Sequence, residues 1–197
     1  KNKINIIAPT NWIADCARKS ILFKENYISV IPTPIDLKKW SPIDKKYAKK
    51  IVNLPLDKNI ILFGAIGGIN DKRKGGDLLI KTLSILKSIQ LKNNLNNFEV
   101  VVFGENSSKV NMIHNIKTHF IGKLYDDVAL RLYYSAADLF ILPSRKDNLP
   151  GTGIESLACG TPIAAFNVGG IPDIVDHNIN GILVEPFDCD QMANEIS

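Results

Sequence analysis

Residues 137–166, "ADLFILPSRKDNLPGTGIESLACGTPIAAF", hold an apolar run, a loop rich in glycine and proline, a short helical stretch and a second apolar run. The runs predict strands at 138–143 and 162–166, because they are short, apolar and bounded by turn residues. Two buried strands joined through a helix form a parallel pair. The stretch therefore predicts an α/β protein with a parallel sheet.

The same alternation continues along the rest of the chain. Further strands are predicted at 28–32, 59–65, 98–104, 118–122 and 181–185. The longest helical pattern between them, "GDLLIKTLSILKSIQL" at 76–91, repeats apolar residues at spacings of three and four. Apolar strands separated by helices are covered on both faces. The predicted fold class is a doubly wound, Rossmann-like parallel sheet.

The first 45 residues interrupt this rhythm. The segment "IPTPIDLKKWSPIDKK" at 31–46 has three prolines and no periodic apolar face, which predicts a linker. Residues 4–27 contain only one strand-like and one helix-like stretch. We therefore expect 1–45 to be the tail of a preceding domain plus the linker, and 46–197 to be the main domain. We also expect the chain to be a fragment of a longer protein, since it lacks an initiator methionine. We expect it to be truncated at its C-terminus, since it stops just after a helix begins.

Composition narrows the classes of partner. The formal net charge is +4, and the tightest basic cluster is Lys72–Lys74, whereas a nucleic-acid site asks for a broad basic stripe with interleaved aromatics. The apolar runs are shorter than the roughly 20 residues that a membrane helix needs. Three widely spaced cysteines match neither a disulfide framework nor a metal site. We expect a cytoplasmic protein with no nucleic-acid partner.

Ligands of open parallel sheets bind beyond the carboxyl ends of the strands, which here means the loops after Gly64, Gly104, Gly122 and Pro143. Two of these loops have a composition that suggests a ligand. The first, "GAIGGINDKRKGG" at 64–76, places Lys72, Arg73 and Lys74 among glycines ahead of the long helix. This combination favours a bound phosphate. The loop fits neither GxxxxGK[ST] nor GxGxxG, and a solvated basic loop is the alternative.

The second candidate is "DNLPGTGIE" at 147–155, with an acid at each end. Gly151 and Gly153 leave backbone N–H groups unobstructed where a helix begins, and such an end attracts an anion. Structural alternatives exist for both acids. Thr152 and Glu155 fit the S/T-x-x-E capping box, and Asp147 could be a plain turn former.

The segment "LPSRKDNLPGTGIESLACGTPIAAFNVGGIPDIV" at 142–175 resembles the donor-binding segment of glycosyltransferase family 4, retaining enzymes of the GT-B fold. Asp147 and Glu155 occupy the two acidic positions of that family, and "CGTP" and "GGIP" complete the pattern. Further matches, in order along the chain, are "VIPTPID" (30–36), "KRKGG" (72–76), "FIGKL" (120–124) and "SAADLFILPS" (135–144). The resemblance implies the C-terminal half of a GT-B fold.

The resemblance also implies a role for each matching residue. Glu155 would bind the ribose hydroxyls of a nucleotide sugar, and Asp147 the hydroxyls of the transferred sugar. Arg73 and Lys74 would hold the diphosphate. The catalytic candidates are therefore Asp147, Lys74 and Arg73. The remaining substrate-binding candidates lie in two short segments, whose backbone groups would meet the sugar, the phosphate or the base: Asn148, Leu149, Gly151, Thr152 and Gly153, and Gly122, Lys123 and Leu124.

The implied activity is transfer of a hexose with retention of anomeric configuration. The donor would be a nucleotide-diphosphate sugar, expected to be a UDP-sugar, and no metal or other cofactor would be needed. The acceptor would be a glycan or a lipid-linked molecule, bound by a missing N-terminal domain, in bacterial surface polysaccharide or glycolipid synthesis. We expect this fragment alone to be inactive. Placement at the inner face of the membrane, through peripheral association of the intact protein, stays open.

Two other readings remain open at this point. One is a nucleotide-sugar-binding module without catalysis, and the other is a GT-B relative that is not a transferase, such as a phosphorylase or an epimerase. The chain also departs from the family at two places. Asp147 stands where a glutamate is usual, with "NLPGTG" in place of a Gly-Phe-Gly loop, and Gly64-Ala65 replaces a common Gly-Arg pair, so that Arg73 could supply the missing cation.

Several residues could be mistaken for functional ones. "DCD" at 188–190 mimics a metal-binding DxD motif, but it precedes a helical stretch, where Asp188 or Asp190 is expected as the N-cap. His114, His119 and His177 are scattered and lack further ligands at suitable spacing. Tyr133 and Tyr134 lie on a helical pattern and are expected to be partly in the core. The sequence predicts no metal site.

Overall fold

The computed structural model describes residues 4–64, 69, 71–93, 98–104, 112–113 and 115–197. These residues form six α-helices: α1 (Asn11–Lys19), α2 (Lys45–Ile51), α3 (Gly76–Asn93), α4 (Asp127–Ala136), α5 (Gly151–Ala158) and α6 (Cys189–Ile196). They also form nine strands: β1 (Asn5–Ala8), β2 (Tyr27–Val30), β3 (Asn59–Gly64), β4 (Phe98–Phe103), β5 (Met112–Ile113), β6 (Ile116–Gly122), β7 (Leu139–Leu142), β8 (Ile163–Phe166) and β9 (Gly181–Val184).

The main sheet has the order β5-β6-β4-β3-β7-β8-β9. All neighbouring pairs are parallel except β5 and β6, which are antiparallel. The predicted strands of this sheet are all confirmed, and their ends differ from the prediction by at most two residues. The strand β5 was not predicted, because two residues are too few to show a periodic pattern.

Helices cover both faces of the sheet, which confirms the doubly wound class. Along β3, Ile61 and Phe63 point into a core with α3 and α6, while Ile60 and Leu62 point into a second core with α2, α4 and α5. Successive strand residues alternate between the faces, so a strand buried on both sides must be apolar throughout. The predicted apolar face of α3 is buried in the first core.

The strand order creates a crevice at the centre of the sheet. The chain builds β3, β4 and β6 outward in one direction, then returns and builds β7, β8 and β9 in the other. The loops that follow β3 and β7 therefore leave the sheet in opposite directions. In open parallel sheets this switch point, at the carboxyl ends of the strands, is where ligands bind.

The N-terminal part of the chain forms a separate two-stranded parallel sheet of β1 and β2, with α1 between them. Residues 31–44 contain no helix or strand, as a linker would. These linker residues pack against α4. Arg131 donates from Nε to the Ser41 carbonyl at 2.6 Å, and Trp40 packs against Tyr134. The domain boundary at 45/46 stays a prediction, and α2 begins at Lys45 with Asp44 as its N-cap.

Candidate functional site

The loops that follow β3 and β7 meet in an ion pair. Lys74 Nζ lies 2.6 Å from Asp147 Oδ2, and both side chains are mostly buried, with 18% and 13% of their surface exposed. Ser144 Oγ adds a longer contact to the same oxygen at 3.4 Å. Two of the predicted catalytic candidates, far apart in the sequence, are therefore in direct contact at the switch point.

The basic cluster forms a compact turn. Lys72–Lys74 is a single 3₁₀ turn whose N-cap, Asp71, accepts from the N–H of Arg73 at 2.9 Å. Arg73 Nη1 is 3.9 Å from Asp147 Oδ2, and its side chain is 55% exposed. Of these two cations, Lys74 is therefore the closer to Asp147 and the more buried. Residues 65–68 and 70 of the predicted loop lie outside the described residues.

Arg145 holds the two loops together, although the sequence did not predict it as a site residue. Its guanidinium donates to both oxygens of Asp77 at 2.6 and 2.7 Å and to the Lys72 carbonyl at 2.9 Å. The hydrogen bond from Arg145 lowers the pKa of the Asp77 carboxyl. The Arg145 N–H also donates to the Arg73 carbonyl at 2.9 Å. No short-range pattern signals a pair so distant in sequence.

Glycines let the backbones around Asp147 approach closely. Gly169 has φ +59, and a Cβ there would lie 2.0 Å from the Asp147 carbonyl oxygen. The next residue, Gly170, donates its N–H to the same oxygen at 3.0 Å. Gly75 has φ +74, and a Cβ there would lie 1.9 Å from the Pro143 carbonyl oxygen. The "GGIP" and "KGG" turns thus support the acidic loop from two sides.

The start of α5 has no side-chain cap. Its N-cap is Pro150, whereas α1, α2, α4 and α6 are each capped by a Thr or Asp side chain. The first N–H groups of the helix, those of Gly151 and Thr152, have no partner inside the helix. Gly153 is already engaged, since its N–H donates to the Pro150 carbonyl at 3.0 Å and it packs against Ile174. The donors that remain for a ligand are Gly151 and Thr152.

The capping-box alternative for Glu155 is wrong. Thr152 lies inside α5, because Pro150 takes the N-cap position. The Glu155 carboxylate instead accepts a hydrogen bond from the Tyr134 hydroxyl at 2.9 Å. Tyr134 is fully buried, which confirms its prediction as a core residue.

The environment of this pair shifts both pKa values upward. Burial raises the pKa of Glu155, and the hydrogen bond from Tyr134 partly opposes that rise. Burial, and then the charge of Glu155, raise the pKa of Tyr134 well above its ordinary value. The phenol therefore remains a neutral donor at neutral pH, aimed at a carboxylate in a partly buried place.

A cavity of about 420 Å³ lies above the carboxyl ends of β4 and β6. Of the predicted site residues, Lys123, Leu124, Thr152 and Glu155 line it, together with Phe103, Gly104, Tyr125, Leu130 and Tyr134. Gly122 stands at its edge, where its carbonyl accepts from the Gly104 N–H at 2.8 Å. A mostly apolar lining that includes one carboxylate suits a flat ring joined to a group that carries hydroxyls.

A second cavity, of about 390 Å³, lies between the linker and the start of α5. The linker side is residues 33–36, 39 and 40, and α5 and the loop before it contribute Leu149, Gly151, Ile154 and Glu155. Glu155 therefore stands between the two cavities. Asn148 lies beside this region, and its Oδ1 accepts from Thr10 Oγ1 at 2.5 Å.

The remaining acids and histidines do not assemble a metal site in the part of the chain that the structure describes. No group of three or more His, Cys, Asp or Glu side chains is placed there to hold an ion. Asp188 is the N-cap of α6 and accepts from the Gln191 N–H at 2.8 Å, as predicted. His119 contacts Glu99 at 2.6 Å, while His114 lies outside the described residues. Among those residues, no helix is both long and apolar enough to cross a membrane.

Residues 59–197 match the family model described as glycosyl transferases group 1. The chain belongs to this family. The match covers the whole main sheet and both loops of the crevice. The similarity of the chain to GT-B glycosyltransferases is thereby confirmed.

Relatives of known name agree with this family. A D-inositol 3-phosphate glycosyltransferase of Nocardiopsis dassonvillei is 29% identical over 97% of this chain and 46% of its own length. Sucrose-phosphate synthase of Thermosynechococcus elongatus is 26% identical, with a TM-score of 0.77 over 99% of this chain and 48% of its own. HepE of Anabaena, solved with UDP and glucose, has the same fold, with 18% identity and a TM-score of 0.70 over 96% of this chain and 52% of its own. The chain thus spans about half the length of these proteins.

Proposed function

We propose that this chain is the donor-binding half of a retaining glycosyltransferase that uses a nucleotide-diphosphate sugar. The observation that carries the proposal is the uncapped start of α5, which lies between Glu155, in the lining of the 420 Å³ cavity, and the Lys74–Asp147 pair. A nucleotide sugar has the same sequence of groups: a flat base, a ribose diol, two phosphates and a hexose.

The ligand would lie along the crevice in that order. The base would enter the 420 Å³ cavity against Lys123 and Leu124, and the ribose hydroxyls would donate to Glu155. The diphosphate would accept from Lys74, from Arg73 and from the N–H groups of Gly151 and Thr152. The hexose would then reach Asp147 and the backbone of Asn148 and Leu149.

The chemical step would depend on fixed positive groups. As the bond from the hexose to the diphosphate breaks, negative charge grows on the leaving phosphate. A preorganised donor aimed at such a charge is worth about 3 kcal/mol of transition-state stabilisation. Lys74, Arg73 and the helix start would supply these donors without a metal ion.

The identities of donor and acceptor belong to this proposal as well. A UDP-sugar is our choice of donor, supported by the fold shared with HepE, which was solved with UDP and glucose. For the acceptor we propose a glycan or lipid-linked molecule of a bacterial cell surface, and for the place of transfer the cytoplasm. The inositol phosphate in the names of the relatives identifies a polar acceptor of another kind.

A thermal-shift panel tests the donor assignment. Ligands that bind only the folded state raise its stability by about 2.7 kcal/mol at a hundredfold excess over Kd. We expect UDP and a UDP-sugar to raise the melting temperature of the chain, and GDP and ADP to raise it less. If none of the three diphosphates changes the melting temperature, the proposed function is contradicted.

The phosphate role of Lys74 can be tested with a matched pair of variants. Lys74→Ala removes the mostly buried cation that pairs with Asp147, whereas Lys72→Ala removes an exposed lysine of the same turn. A hydrogen bond between charged groups is worth about 1.5–3 kcal/mol. We expect calorimetry to show a loss of UDP affinity of at least about tenfold for Lys74→Ala, to below detection if the wild-type affinity is weak, and little change for Lys72→Ala. Equal affinities of wild type and Lys74→Ala would exclude this role.

A further inference from the structure

Tyr134 is a buried aromatic residue whose one polar atom faces the candidate site. Its side chain has no exposed surface. Three other rings surround it edge to face: Trp40, Phe103 and Phe140, with centroids at 6.0, 5.9 and 5.8 Å. Such rings leave the phenol little freedom to change its rotamer. The position of the Tyr134 hydroxyl is therefore set by the core and not by the site.

The hydroxyl of Tyr134 engages one oxygen of Glu155 only. It donates to Oε2 at 2.9 Å, and it is the one hydrogen-bond partner that the described part of the chain offers to this carboxylate. The other oxygen, Oε1, lies near the helix start, 3.8 Å from where a Cβ on Gly151 would be. One oxygen of the Glu155 carboxylate is therefore held by Tyr134, and the other is left for a ligand in the cavities that Glu155 lines.

We propose that Tyr134 is a positioning residue that holds the Glu155 carboxylate in the orientation that receives the ribose hydroxyls of the donor. This inference rests on the proposed function, because it assigns the ribose to Glu155. A free glutamate side chain samples several rotamers, and ordering it on binding consumes affinity. The bond from Tyr134 removes this penalty before the ligand arrives.

The linker contributes to the same support. Trp40 is only 6% exposed and packs directly on the Tyr134 ring. Arg131 fixes the neighbouring residue, Ser41, through its backbone and its hydroxyl, both at 2.6 Å. The linker is thereby connected to Glu155 through the packed rings of Trp40 and Tyr134 and the hydrogen bond from the Tyr134 hydroxyl.

Nucleotide binding with a paired ligand tests the proposal. The probes are UDP and 2′,3′-dideoxy-UDP, which differ only in the ribose hydroxyls, titrated into wild type, Tyr134→Phe, Tyr133→Phe and Glu155→Gln. The phenylalanine at 134 keeps the ring packing and removes the donor. Tyr133 is the adjacent, partly buried tyrosine, and the hydrogen bond to Glu155 comes from Tyr134 instead. The measured quantity is the ratio of the two affinities, which cancels effects on the phosphates and on the fraction folded.

For wild type and Tyr133→Phe we expect UDP to bind about tenfold more tightly than its dideoxy analogue. For Tyr134→Phe we expect the ratio to fall to about threefold or less, and for Glu155→Gln to fall similarly. A ratio unchanged in Tyr134→Phe but reduced in Glu155→Gln overturns the role of Tyr134 alone. A ratio unchanged in both variants, or a wild type that does not prefer UDP, contradicts the ribose assignment of the proposed function.

A second measurement needs no ligand. In protein with ¹³C-labelled glutamate, the carboxyl signal of Glu155 reports its pKa directly. The hydrogen bond from Tyr134 lowers that pKa against the effect of burial, so Tyr134→Phe must raise it. A pKa of Glu155 that stays the same, or falls, in Tyr134→Phe shows that the phenol does not hold the carboxylate and overturns the inference whether or not UDP binds.

Discussion

The two acids of "DNLPGTGIE" have different partners. Asp147 faces a cation, Lys74, at 2.6 Å, while Glu155 faces a neutral donor, the Tyr134 hydroxyl, at 2.9 Å. The first acid is therefore neutralised by a group that the proposed function also assigns to the diphosphate. Lys74 cannot keep both partners at full strength, so binding of a diphosphate should draw it away from Asp147.

This competition predicts an unusual effect of removing the first acid. Asp147→Asn releases Lys74 and takes away a carboxylate that repels the diphosphate. We expect calorimetry to show UDP binding several-fold tighter than in wild type, for a gain of about 1 kcal/mol. A UDP-sugar should gain less, because the contact of Asp147 with the hexose is weakened.

The control for this variant is Asp176→Asn, which removes the same charge from an exposed carboxylate. It should leave both affinities nearly unchanged, since exposed charges are screened by salt. If Asp147→Asn weakens UDP binding, Asp147 supports Lys74 and does not compete for it.

At the scale of elements, the acidic loop is shaped by the turns that press on it. A side chain at Gly169 would meet the Asp147 carbonyl and would also require a left-handed backbone. Gly169→Ala should therefore lower the free energy of unfolding by about 1–3 kcal/mol and displace Asp147. Urea denaturation measures the first effect and UDP titration the second.

Gly151→Ala is the comparison for stability. The nearest atom to a Cβ at Gly151 is 3.8 Å away, and the residue lies in the first turn of α5. Its free energy of unfolding should stay the same or rise slightly, because alanine has less freedom in the unfolded chain. Equal losses in Gly169→Ala and Gly151→Ala would show that the close contact at Gly169 has no special effect.

Local sequence patterns were enough to predict the elements but not their contacts. The strands and α3 follow from periodicity within windows of a few residues, and structure and prediction agree there. The capping box was also a local pattern, yet it failed, because Pro150 is the N-cap of α5, two residues before the Thr152 that the pattern places there. The partners of Glu155, Asp77 and Asp147 lie on other elements, and only the packed sheet brings them together.

In the whole molecule, the two ends of the main sheet differ in role. The crevice lies at the carboxyl ends of the strands, and Asp138, just before β7, stabilises the opposite end. Its carboxylate accepts from the Ile60 N–H at 2.8 Å and pairs with Lys49 at 3.1 Å and Lys45 at 2.7 Å. Asp138 belongs to the same conspicuous stretch as the crevice acids, but its contacts join α2, β3 and β7 and are structural.

Removal of the Asp138 carboxylate should destabilise the fold. Lys49 is only 6% exposed, so Asp138→Ala leaves a buried cation without its charged partner, with only the Lys58 carbonyl at 2.8 Å still accepting from it. Breaking a buried pair in this way costs about 3 kcal/mol. Asp57→Ala, which removes an exposed acid 3.9 Å from Lys58, should cost less than about 1 kcal/mol. Denaturation of both variants at neutral pH measures the difference.

The contribution of the Asp138 carboxylate to the free energy of unfolding should depend on pH in a defined direction. Burial would raise the pKa of Asp138, but hydrogen bonds from Lys45, from the Ile60 N–H and from Lys49 outweigh it and hold the pKa below its ordinary value of 3.8. A carboxyl with a lowered pKa stabilises the fold fully above its unfolded pKa and loses this effect as pH falls through the folded value. The stability difference between wild type and Asp138→Ala should be constant near neutrality and shrink below about pH 4. A difference that grows on acidification would contradict the assignment.

Amide chemical-shift mapping with UDP would show whether a nucleoside diphosphate binds across the switch point of the sheet. We expect the largest shifts on the amides of Lys72–Gly75, Lys123, Leu124, Gly151, Thr152 and Glu155. Largest shifts at the opposite end of the sheet, around Asn53, Lys117 and His119, or no shifts at millimolar UDP, would contradict binding at the switch point.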